Sequence, residues 1–98
     1  MPKLLQDMIH QLRKEKTDLM NKYHIRSLGI FGFYIKNQAN ENSDLDILVD
    51  FEQTPDLFSF LDLEERLSEI VQTKVDLVSS KALKPHIGKQ ILSEVQYL

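Results

Sequence analysis

The chain has 98 residues, 42% of them hydrophobic and 28% charged, which is enough apolar material for one core and little for a second. Against 15 acidic residues stand 12 lysines and arginines, a formal charge of −3 that disfavours direct nucleic-acid binding. Cysteine is absent, so disulfide frameworks and thiolate zinc sites are excluded, and no run approaches the ~20 apolar residues of a membrane span. A single cytoplasmic domain over residues 1–98, with no membrane partner, is the expectation.

From Leu4 to Met20 the apolar residues Leu4, Leu5, Met8, Ile9, Leu12, Leu19 and Met20 recur mostly at helical spacing, with Pro2 where a helix start tolerates it. Ile25 to Phe31 is short, β-rich and closed by Gly32, the pattern of a strand entering a turn. In Asp44-Leu45-Asp46-Ile47-Leu48-Val49-Asp50-Phe51 the alternation has a period of two. Leu45, Ile47, Val49 and Phe51 therefore share one face of a strand, and Asp44, Asp46 and Asp50 the other.

Thr54-Pro55-Asp56 is a helix-start signal. Leu57, Phe60, Leu61, Leu67, Ile70 and Val71 then trace an apolar stripe broken by Glu64. Lys74 to Ser79 reads as a third strand, and Ala82 to Val95 as a weak helix interrupted by Pro85 and Gly88. The order helix, strand, strand, helix, strand, helix predicts an α+β fold, a small mixed β-sheet with helices packed on one side.

Asp44 and Asp46 project from the same side of a strand, about 6 to 7 Å apart along the chain. Like charges so close oppose ionisation and folding unless a cation lies between them, and magnesium, held by one or two carboxylates plus substrate phosphates, suits the pair. Asp76, between Val75 and Leu77, faces away from the core and meets the other two if the strands are neighbours. It would complete a metal site or accept the proton of an attacking hydroxyl. Ser43 would orient Asp44 through a local hydrogen bond or serve as an ordinary turn residue. His10, His24 and His86 lack metal-ligand spacing, and Tyr23, Tyr34, Phe58 and Phe60 read as core or surface residues before they read as a base pocket.

Gly32-Phe33-Tyr34-Ile35-Lys36-Asn37-Gln38-Ala39 through Ser43-Asp44-Leu45-Asp46-Ile47-Leu48-Val49 resembles the signature of the minimal nucleotidyltransferases of the DNA polymerase β superfamily. The signature is a glycine and serine followed at fixed distance by D-x-D. The resemblance runs on through Asp56-Leu57-Phe58, Leu63-Glu64-Glu65-Arg66-Leu67, Lys74-Val75-Asp76-Leu77-Val78 and Leu83-Lys84-Pro85. It implies a polymerase β-like nucleotidyltransferase fold, with Asp44, Asp46 and Asp76 as catalytic residues and ligands of Mg2+. Gly32, Phe33, Lys36 and Ser43 would border ATP or another nucleoside triphosphate.

Many such proteins are antitoxins of HEPN/MNT pairs, and some transfer AMP to a tyrosine of the HEPN-type toxin. A HEPN-type partner, in a homo- or hetero-oligomer, is therefore implied. Phe33 departs from the family serine and carries no hydroxyl donor. Lys36 keeps a positive charge where the family has a basic residue but lacks the guanidinium fork. These departures set up a second expectation, an antitoxin that neutralises its toxin by binding alone.

Overall fold

The computed structural model describes residues 4–32, 34–40 and 42–98. Phe33, which carries the expectation of weakened catalysis, and Pro2 lie outside the described residues.

Helix α1 spans Leu5–Tyr23 and buries Met8, Ile9, Leu12, Leu19 and Tyr23, positions three to four apart or multiples of a turn, as an amphipathic helix requires. It ends at His24, whose left-handed backbone (φ 55°) lets its N–H donate to the Met20 carbonyl. Strand β1 (Ile25–Phe31) follows at once and pairs antiparallel with β2 (Leu45–Phe51), placing Leu28 opposite Val49 and Ile30 opposite Ile47. Helix α2 (Leu57–Val71) opens on Asp56, whose carboxylate accepts from the Ser59 N–H at 2.7 Å. It returns the chain to β3 (Val75–Ser79), which lies parallel to β2.

After a 3-10 turn at Ser80–Ala82, helix α3 (Pro85–Glu94) leads into a two-residue strand β4 (Gln96–Tyr97), antiparallel to β1. The sheet order is β3-β2-β1-β4, mixed as expected.

Helices α1 and α2 cover the face carrying Leu45, Ile47 and Val49, each of which is fully buried. The two helices are tied together by the Arg66 and Glu15 side chains, and Phe51 meets Phe60 with ring centroids 6.2 Å apart. On β1, Leu28 and Ile30 point into this core, so Gly29 between them faces the other way. A Cβ added there would come within 2.5 Å of Val95 Cγ2. The chain leaving α3 therefore lies against the second face of the sheet, and the missing side chain at Gly29 gives it room.

Three details differ from the sequence reading. Pro85 starts α3 rather than interrupting it, as its fixed φ suits the first helical position. Strand β4 was not expected. The buried stripe of α2 centres on Leu63, Leu67 and Val71, leaving Leu57 and Leu61 exposed. Glu64, the polar break, instead accepts from the Leu77 N–H at 2.8 Å, while Ser68 Oγ accepts from the Val75 N–H at 3.0 Å. Two outward N–H groups of the edge strand β3 are thereby satisfied by α2. Among the described residues no helix is long and apolar enough to cross a membrane.

Candidate active site

Parallel pairing of β2 with β3 sets Asp46 directly beside Asp76, with Leu45 beside Val75 and Ile47 beside Leu77. Paired residues in a parallel ladder project to the same side, so with the leucines, isoleucine and valine in the core both aspartates face away from it. The hydrogen bond from the Leu45 N–H to the Lys74 carbonyl, 2.9 Å, fixes the register at the entrance of both strands. Asp44 stands just before β2, its Oδ2 3.9 Å from Lys74 Nζ.

Burial, then Asp76, then Asp44 and Glu94 push the Asp46 carboxyl up to about 6. The two other aspartates named from the sequence thus both act electrostatically on Asp46. Among the described residues no three carboxylate or imidazole groups are drawn close enough to enclose a metal ion unaided. The donor chemistry nonetheless fits magnesium: the groups are oxygen donors, they repel one another in the absence of a cation, and substrate phosphates ordinarily complete the shell.

Gly32 closes the other side. Its backbone is left-handed (φ 81°), and a Cβ added there would lie 2.1 Å from Asp46 Oδ2. Glycine is required twice over, by conformation and by the carboxylate in its space. The turn continues with the Lys36 N–H donating to the Gly32 carbonyl at 3.1 Å and with Asn37 at φ 58°, a conformation asparagine tolerates. Tyr34 anchors the turn in the core.

Lys36 Nζ is 3.2 Å from Glu94 Oε2, at the end of α3. Sequence reasoning missed Glu94, which follows the strand and helix signals by many residues and reaches the site only because α3 folds back. Ser43 does not orient Asp44: its Oγ accepts from the Asn40 N–H at 2.9 Å and closes the loop before β2. An open cleft of about 390 Å³ is lined by Asn40, Asn42, Ser43, Asp44 and Asp46, within the range of small-ligand sites.

The remaining candidates stay out of the cleft. Asp50 accepts from Arg26 at 3.3 Å and from Ser80 Oγ at 3.0 Å, a structural tie. Tyr23 and Tyr34 are core residues, Phe60 packs partly buried against the core, and Phe58 is 83% exposed. His10, His24 and His86 are exposed.

The sheet thus presents Asp46 and Asp76 from adjacent strands, with the Gly32 turn against Asp46. The chain belongs to the family described as Polymerase beta, Nucleotidyltransferase, which matches residues 13–98. It is 42% identical over 94 residues to the protein adenylyltransferase MntA of Thermococcus cleftensis, covering 96% of this chain and 95% of that protein. A solved minimal nucleotidyltransferase structure superposes with a TM-score of 0.80 at 29% identity, over 94% of each chain. One chain of a solved complex of a tri-AMPylated Shewanella oneidensis HEPN toxin with MNT antitoxin has the same fold, with a TM-score of 0.67 at 20% identity over 92% of this chain and 70% of that one.

Proposed function

We propose that the chain is a protein adenylyltransferase that transfers AMP from ATP to a tyrosine hydroxyl of a HEPN-type toxin and so acts as its antitoxin. The observation that carries this reading is the in-register pairing of Asp46 with Asp76 beneath Gly32. The activity named for the Thermococcus relative and the AMPylated toxin of the Shewanella complex support it.

Asp44, Asp46 and Asp76 would hold magnesium, which when bound neutralises charge on the triphosphate and on departing pyrophosphate. The acceptor oxygen attacks the α-phosphorus, the bond to the bridging oxygen of pyrophosphate breaks, and Asp76, the exposed member of the trio, takes the hydroxyl proton. Lys36 and the backbone N–H groups of the turn it shares with Gly32 would bind phosphate oxygens. The net charge of −3 disfavours a nucleic-acid acceptor, and the acceptor hydroxyl would be presented by a protein partner.

The second reading, neutralisation by binding alone, rests on Phe33 in place of the family serine. Transfer of labelled AMP to a HEPN-type partner, compared for the wild type, Asp46→Asn and Phe33→Ser, separates the two. Transfer by the wild type that Asp46→Asn abolishes supports the enzyme. Transfer appearing only in Phe33→Ser supports the binding antitoxin. Melting temperatures indifferent to saturating magnesium and ATP in every variant would refute the adenylyltransferase reading.

A further inference from the structure

Glu94 occupies an electrostatically unfavourable position. It is the last residue of α3, where the helix dipole presents negative charge, and no basic side chain stands in that last turn. It also lies close enough to Asp46 for the two carboxylates to repel. Its side chain is only 20% exposed, so water screens it incompletely. Lys36 supplies the compensating charge at 3.2 Å, reaching across from the turn that Gly32 begins over Asp46.

Resting on the reading of the site as a triphosphate site, we infer that Glu94 is a built-in competitor of the triphosphate for Lys36. Its carboxylate holds the lysine in the empty site as a phosphate oxygen would, and nucleotide binding must exchange one anion for the other. The exchange lowers affinity, because it leaves the Glu94 carboxylate uncompensated at the end of α3. Glu94 is thus a positioning residue that sets how strongly the empty site resists filling.

The test is a double-mutant cycle on magnesium-ATP binding, measured by isothermal titration calorimetry with the wild type, Glu94→Gln, Lys36→Gln and the double variant. Glu94→Gln is expected to tighten binding by about fivefold, the scale of one partly exposed ion pair. In the Lys36→Gln background the same change should have less than about a twofold effect. Weaker binding by Glu94→Gln, or an equal gain in both backgrounds, overturns the competition. Absence of binding in all four proteins overturns the triphosphate reading itself and the competition with it, whereas binding without coupling overturns the competition alone.

Discussion

Asp46 is half-buried beside two other aspartates, and its carboxyl is pushed up to about 6, above the ~3.9 of an unfolded aspartate. The folded protein therefore holds that proton more tightly than the unfolded chain. Its contribution to folding is complete below about pH 4 and is lost as the pH climbs to the folded value of about 6. Asp46→Asn should raise the urea midpoint at neutral pH and lose that advantage near about pH 4. A midpoint difference that is the same at both pH values would show that ionisation of the half-buried Asp46 carboxyl is not what strains the site. Asp44 and Asp46 were legible in the sequence because strand alternation puts them on one face, whereas Asp76 joins them only through the pairing of β2 with β3, which alternation does not dictate. Glu94 was not, since nothing local in its sequence says which surface its helix end will meet.

Along α2 the stripe read from the sequence holds at Leu67 and Val71 but begins out of phase, at Leu57 and Leu61 rather than at Leu63. The segment Leu57-Phe58-Ser59-Phe60-Leu61-Asp62-Leu63 carries apolar residues in several phases, and only packing against the sheet selects the phase of Leu63 and Leu67. Leu63→Ala should cost about 2–5 kcal/mol in urea unfolding, while Phe58→Ser should stay within about 0.5 kcal/mol. A large loss from Phe58→Ser would place that ring in an interface. Glu64 looked like a defect in the stripe and serves as the partner of a strand edge. Glu64→Ala should cost about 1–2 kcal/mol and Glu64→Gln much less, because the amide oxygen can still accept from Leu77. Strand β4 escaped sequence reading for a related reason: two residues hold no period, and their pairing is created by the open edge of β1.

At the scale of the whole molecule, the two faces of the sheet hold different kinds of structure. One is sealed by α1 and α2 around fully buried side chains, while the other carries the aspartates and the return of the chain after α3. Opening on the second face should therefore occur without loss of the first. Gly29→Val would drive a side chain into Val95 and toward the Gln96 carbonyl, which an added Cβ already approaches to 3.3 Å. Hydrogen exchange should then accelerate at the Leu98 amide, which donates to the Leu28 carbonyl at 2.9 Å, with little change in α1. Equal acceleration in α1 would mean that the two faces unfold as one unit. The sheet and its helical cover were readable from element order; this division was not, because it depends on where the C-terminal segment crosses.

The 2.1 Å approach between a Cβ at position 32 and Asp46 makes the two positions epistatic. Alanine at 32 fits only if the carboxylate of Asp46 turns away or is lost, and either takes it from its place under the turn. Position 32 cannot drift while Asp46 stays fixed, whereas position 46 is under no steric constraint from glycine. A lineage that abandons nucleotide chemistry and loses Asp46 relieves the steric half of the constraint on Gly32, leaving its left-handed backbone as the remaining demand. Paired replacement at these positions would then record the loss of catalysis in a descendant whose fold is unchanged.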